Sequence, residues 1–262
     1  MKERHRRRPR SRPPGGSGNV VLGGRRAVTE AIRAGLADEV LVKPTARSTP
    51  GLRELRAEAA RAGVPVREAP DGSADALPGD QQGVAARVRL PRPLGERELK
   101  AWAFDPDSVV LVLDGVVDPQ NVGAAARVAE AAGASLFVLR ERRGAAVTPA
   151  AVRASAGALL HLAHARVPNV TRALEILKDR GFFVIGLDER ATMSIHDAEC
   201  PPGPIALVVG SEETGISRLV RETCDQLVRL PMGGRVASLN ASSAAAATMY
   251  AYVLPRRKGT LS

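Results

Sequence analysis

Two different alternations of apolar and polar residues run along the chain. Between residues 20 and 90 short strand-like and helix-like pieces follow one another. Val28 and Ile32 keep helical spacing within GRRAVTEAI, 39–43 is a short apolar strand, and 52–62 is a charged amphipathic helix stopped by Gly63. Residues 64–68 and 84–90 read as further strands. This pattern predicts a small α/β domain over 19–90. From residue 109 the rhythm changes to apolar runs at 109–113, 136–139, 182–187, 205–209 and 227–230, separated by helical segments. Short runs of this kind predict a parallel sheet covered by helices on both faces, in a second domain over 108–256. The proline-rich and charged stretch between them predicts a linker over 91–107.

A length of 262 residues with 44% hydrophobic content supports a substantial core in one large or two modest domains. Aromatic residues are only 3%, so that core is built from Val, Leu, Ile and Ala, and ring stacking on bases is not the main binding device. The net charge of +10 points to a polyanionic partner, but it is unevenly spread. Lys2, Arg4, Arg6, Arg7, Arg8, Arg10 and Arg12, opposed only by Glu3, carry more than half of it. Residues 1–18, ending in Pro13-Pro14-Gly15-Gly16-Ser17-Gly18, cannot bury apolar surface and read as a disordered basic arm suited to phosphate contact. Cys200 and Cys224 form no CxxC, which excludes a disulfide framework or a zinc ribbon. With no apolar run long enough for a membrane span or signal peptide, the expected location is cytoplasmic.

Three corners carry candidate chemistry. In VVLVLDGVVDPQNVGAAAR a strand runs into Asp118-Pro119, Asn121 is placed to cap the following helix, and Arg127 lies six residues on, able to lean back toward the same rim. Alone, this corner reads as a capped helix with a surface charge. In GSEETGI a glycine-bounded loop follows a strand; it lacks the Lys of a phosphate-cradling loop, and Glu212 could be a helix cap. In LPMGGRVASLNASSAAAA irregular backbone precedes a helix of small residues, offering main-chain groups to a planar base and a surface for close helix packing. Asn121, Asp188, Glu212 and the segment after Leu230 follow strand ends, where ligands bind in parallel sheets. His161 and His164 form an HxxH pair without further ligands, so no metal is expected.

Taken together and in this order, DPQNVGAAAR, GSEETGI and LPMGGRVASLNASSAAAA resemble the three motifs of the SpoU, or TrmH-type, RNA 2′-O-ribose methyltransferases of the SPOUT superfamily. Ala154-Ser155-Ala156-Gly157-Ala158 resembles a further family stretch, and GRRAVTEAI and Gln82-Gly83-Val84-Ala85-Ala86 resemble the family's L30e-like substrate-binding domain. Gln81 stands where relatives often have His. The resemblance implies a parallel-sheet α/β domain tied in a deep trefoil knot, a homodimer formed through it, and S-adenosylmethionine held by Gly210, Leu230, Met232, Ser238 and Leu239. It also implies catalytic roles for Asn121, Arg127, Glu212, Ser238 and Asn240, with Arg127 as activator of the 2′-hydroxyl. Because a guanidinium stays protonated, phosphate binding and oxyanion stabilisation suit Arg127 better than proton abstraction. Arg25 and Arg26 are candidate RNA contacts.

The expected activity is therefore S-adenosylmethionine-dependent 2′-O-methylation of RNA without a metal, with a guanosine of 23S ribosomal RNA favoured. The rivals are a tRNA substrate and a non-catalytic RNA-binding or ribosome-assembly factor on the same fold. The joint presence of Asn121, Arg127, Glu212 and Asn240 speaks against the last.

Overall fold

The computed structural model describes residues 19–46, 48–69, 83–141, 147–235 and 238–255. The basic arm, Gln81 and Gln82 lie outside them.

Strands β1 (Asn19–Gly23), β2 (Ala37–Val42), β3 (Val66–Glu68) and β4 (Val84–Arg89) form one sheet in the order β1-β4-β2-β3. Pairing is antiparallel except between β2 and β3. Helices α1 (Arg25–Arg33) and α2 (Pro50–Ala62) pack on it through Val28, Ile32 and Leu55. Helix α2 starts where the sequence supplies a cap: the Thr49 hydroxyl accepts the Leu52 amide and Pro50 opens the first turn. It ends at Gly63, which takes the left-handed conformation that a side chain resists.

The second sheet contains β5 (Val109–Asp114), β6 (Leu136–Arg140), β7 (His164–Val167), β8 (Phe183–Leu187), β9 (Ile205–Gly210) and β10 (Gln226–Val228). Its order is β10-β8-β9-β5-β6-β7, and every pair is parallel. All six residues of β5 and of β9 are buried, which is why these strands read as unbroken apolar runs. Alternate side chains feed two cores. Leu111, Phe137, Leu207 and Val209 face one layer, while Val110, Val138, Ala206 and Val208 face the other. Helices α4 (Pro119–Ala131), α5 (Pro149–Ala154) and α8 (Ala241–Thr248) supply the first layer. Helices α3 (Glu96–Ala101), α6 (Val170–Lys178) and α7 (Arg218–Thr223) supply the second.

Several elements differ from the sequence reading. The stretch expected as a linker contains α3, which buries Leu99, and Leu94 pairs alongside β7 through both its amide and its carbonyl. Arg180 donates to the carbonyls of Lys100 and Trp102, and Phe104 meets Phe182 edge-on at 4.7 Å. Its charged residues disguised a packed segment, because only one side of it is apolar. Strand β7 escaped notice because it is four residues long and carries His164 and Arg166.

The HxxH spacing is not helical. His161 closes a short 3₁₀ turn and pairs with Glu30 at 2.9 Å, whereas His164 is buried in β7. That Glu30 contact joins the two sheets' units. Beside it, a β-carbon on Gly157 would fall 2.5 Å from that of Glu30, so the Ala154–Ala158 stretch seats α1 at close range.

Candidate active site

Seen from β5, the chain proceeds through β6 and β7 on one side, while β9 lies against its other side. This reversal creates a crevice beyond the carboxyl ends of the strands. A cavity opens there, lined by Leu187 and Asp188 at the end of β8, by Val209, Gly210 and residues 211–215 at and beyond the end of β9, and by Leu230, Met232, Ser238, Leu239, Ala241 and Ala244 beyond β10. Glu189 and Arg190 complete its wall.

The loop after β9 is fixed by contacts that leave no room for larger residues. A β-carbon on Gly210 would lie 2.0 Å from the Gly215 carbonyl carbon, so only glycine lets the loop fold back on the strand. The Gly215 amide donates to the Ser211 carbonyl, and the Ser211 and Thr214 hydroxyls share a hydrogen bond of 2.7 Å. From below, the buried Asp114 carboxylate accepts the Ser217 amide at 2.7 Å. Glu212 is exposed at the mouth and caps nothing; Ser217 stands at the N-cap of α7.

On the opposite wall the backbone is irregular. Among the described residues, 231–233 and 238–239 enter no backbone–backbone hydrogen bond, so the Pro231 carbonyl and the amides and carbonyls of the others are open to a ligand. Met232 and Leu239 are each 40% exposed and flank the opening. Asn240 caps α8: its side-chain oxygen accepts the Ser243 amide at 2.8 Å and the Ser242 hydroxyl at 3.0 Å.

Of the residues singled out in the sequence, the fold thus gathers Gly210, Glu212, Leu230, Met232, Ser238 and Leu239 around one cavity. Asn240 sits at its edge, committed through its oxygen to the cap. Asn121 and Arg127 are elsewhere, on α4, which packs against α5 and α8. The cap of α4 is Asp118, which accepts the Gln120 and Asn121 amides, and Asn121 falls inside the helix. Six residues set Asn121 and Arg127 about 9 Å apart along the axis of α4. Arg127 is exposed and unpaired among the described residues. Arg25 donates to Thr49 at 2.9 Å, an intramolecular link to the start of α2, while Arg26 is exposed.

Sequence reading had placed Asp188 at the rim without giving it a role. It is buried, and its carboxylate accepts the Arg190 amide at 2.9 Å and Arg221 Nε at 2.5 Å. Burial pushes its pKa up, but the Arg190 amide and the Arg221 guanidinium outweigh that and hold it below the ordinary carboxylate value. Arg221 was invisible because its partner is 33 positions away. Cys200 and Cys224 form no disulfide, and burial pushes the Cys224 thiol up to about 12, where it is inert at neutral pH. Among the described residues no group of three potential ligands is placed to hold a metal, and no helix is long and apolar enough to cross a membrane.

A doubly covered parallel sheet with this crevice and an N-terminal α/β unit is the architecture of solved RNA methyltransferases. The SpoU methyltransferase AviRb from Streptomyces viridochromogenes, crystallised with S-adenosylmethionine, superposes with a TM-score of 0.75 at 26% identity, covering 92% of each chain. Residues 108–250 match the model of the SpoU rRNA Methylase family, and residues 21–94 match that for RNA 2′-O ribose methyltransferase substrate binding. The chain belongs to the SpoU rRNA Methylase family. Among its relatives are an uncharacterized tRNA/rRNA methyltransferase of Mycobacterium ulcerans, 39% identical over 89% of this chain and 76% of its own, and a 23S rRNA (guanosine-2′-O-)-methyltransferase of Burkholderia sp., 38% identical over 91% and 97%.

Proposed function

We propose that this protein methylates the 2′-hydroxyl of a guanosine in 23S ribosomal RNA, using S-adenosylmethionine. The observation that carries the reading is the convergence of Gly210, Glu212, Leu230, Met232, Ser238 and Leu239, drawn from two distant motifs, on one cavity at the switch of the sheet. The cavity suits the cofactor. Gly210 allows close backbone approach, the unpaired main-chain groups of 231–233 and 238–239 can read an adenine edge, and Met232 and Leu239 offer apolar surface to its ring. When bound, S-adenosylmethionine supplies an electrophilic methyl group. The protein's part is to hold a ribose oxygen in line and favour loss of its proton, so positioning accounts for much of the rate. Ser238 and Glu212 would orient the groups at the mouth, and Asn240, through its free amide nitrogen, would reach the substrate.

Arg127 would bind the RNA phosphate and stabilise the developing alkoxide, with Asn121 guiding the ribose. As both lie away from the cavity of their own chain, we place them at the cavity of a second copy, in a homodimer joined through the α4 and α8 side of the knot domain. Exposed Val117, Leu239 and Tyr250 supply apolar area for such contact. The trefoil knot, the domain limits 19–90 and 108–256, RNA contact by Arg26, and a cytoplasmic site of action belong to the same reading. The deciding experiment incubates the protein with radiolabelled S-adenosylmethionine and unmethylated 23S rRNA or tRNA, then maps ribose methylation. One modified guanosine in 23S rRNA supports the proposal. Methylation of tRNA alone replaces the substrate, and binding without transfer leaves an assembly factor.

A further inference from the structure

The cofactor reading gives no task to the ion pair between Asp188, in the cavity wall, and the half-buried Arg221. Asp188 follows β8 directly and is 4% exposed. Its amide donates to the Val228 carbonyl of β10, its Oδ1 accepts the Arg190 amide and lies 3.4 Å from Arg190 Nε, and its Oδ2 accepts Arg221 Nε. Arg221 in turn reaches the Ile216 carbonyl with Nη2 at 3.5 Å. One carboxylate therefore links the 188–190 wall to the end of the 211–216 loop through a single guanidinium. Gly186, two residues earlier, makes the approach possible: a β-carbon there would lie 2.7 Å from Cys224 Sγ, 2.8 Å from Leu227 and 3.0 Å from Ile216. Bare sheet surface at this point lets the segment carrying Ile216 and α7 settle against β8. A planar guanidinium suits such a bridge, because its separate N–H groups serve two acceptors in fixed directions.

We propose that Asp188 is a positioning residue for the cofactor, setting the spacing between the two walls of the cavity through Arg221. The inference rests on the reading of that cavity as the S-adenosylmethionine site. Asp188 already accepts from Arg190 and Arg221, so it acts through the walls rather than as a catalytic group. Breaking the clamp lets the 211–216 loop drift from the 188–190 wall. The cofactor then loses its preorganised seat, while the methyl-transfer geometry of fully bound protein is retained.

The test compares wild type with Asp188→Asn, which keeps the shape and removes the charge, and with Arg221→Lys, which keeps the charge and removes the fork. Leu99→Ala, on α3 in the core layer shared with α7 but outside the clamp, serves as a control for general destabilisation. S-adenosylmethionine affinity is measured by calorimetry well below each variant's melting temperature, and single-turnover methylation of 23S rRNA at saturating cofactor. The expected result is at least a tenfold weaker Kd in both clamp variants, a saturated rate within about twofold of wild type, and an unchanged Kd in the control. Should Asp188→Asn fail to fold, Arg221→Lys carries the comparison. A clamp variant with wild-type Kd overturns the proposal and leaves the cofactor site standing. A wild-type protein that does not bind S-adenosylmethionine removes both.

Discussion

Asp114, the last residue of β5, accepts the backbone amide of Ser217 at 2.7 Å although 103 positions separate them. Its carboxylate is 3% exposed, so the bond is made out of competition with water and ties the central strand to the loop that walls the cavity. Replacing Asp114 by Ala should cost about 1–3 kcal/mol, the usual penalty for leaving a buried partner unsatisfied. It should also weaken S-adenosylmethionine binding, because the loop loses its anchor at the base. Urea denaturation and a binding titration on the same preparation check both effects; unchanged stability would show that the amide finds another acceptor.

Close helix packing makes a second demand. A β-carbon on Gly123 would meet the Ala151 carbonyl oxygen and the Ala154 methyl at 2.5 Å, so α4 and α5 touch through bare backbone. Gly123→Ala, a change that helps an isolated helix, should here destabilise the protein by roughly 1–3 kcal/mol through overpacking. A thermal melt reads the sign directly, and a raised Tm would refute the stated contact.

Arg127→Ala should abolish methyl transfer while leaving S-adenosylmethionine affinity within about threefold, because Arg127 lies outside the cofactor cavity of its own chain. Glu212→Ala lesions the other side of the proposed site. If Arg127 acts on the second copy's cavity, mixing the two inactive variants creates heterodimers with one intact site, and activity returns. Recovery to a substantial fraction of wild-type rate is expected; no recovery would place Arg127 and Glu212 in the same copy's site.

His164 sets a pH limit. Burial is the main cause that lowers its pKa from 6.5 to about 4; the Leu162 backbone opposes it, and the charge of Arg166 adds to it. The unfolded imidazole therefore takes up a proton before the folded one does. Stability is complete above the unfolded pKa and declines as pH falls from about 6.5 to about 4, by as much as roughly 3 kcal/mol at 1.36 kcal/mol per unit. Urea midpoints measured at pH 7.5 and 5.0 should differ in that direction, and His164→Leu should flatten the difference.

The main strands were legible because parallel strands buried on both faces must be apolar throughout, as β5 and β9 are. Helix α2 was legible in its end signal, since Gly63 is needed for a left-handed turn. Local chemistry misled where two residues compete for one role. Asn121 and Asp118 can both cap, and Pro119, which needs no amide partner, fixes the start so that Asp118 wins. Spacing said nothing of His161 and His164, since one closes a 3₁₀ turn and the other opens β7. The convergence of Gly210 with Leu230 and Leu239 was legible only through the resemblance of whole motifs. Neither the Asp114 to Ser217 bond nor the pairing of Asp188 with Arg221 leaves any local trace, because each joins a strand end to a segment fixed by tertiary folding.

The crowding at Gly210 governs how this site can vary over time. An added carbon would strike main-chain atoms of residues 215 and 216, which unlike a side chain cannot swing aside. Every substitution, however small or chemically similar, must first displace a central strand or the loop folded over it. The position is thus closed to gradual drift, and the constraint comes from an atom that is missing.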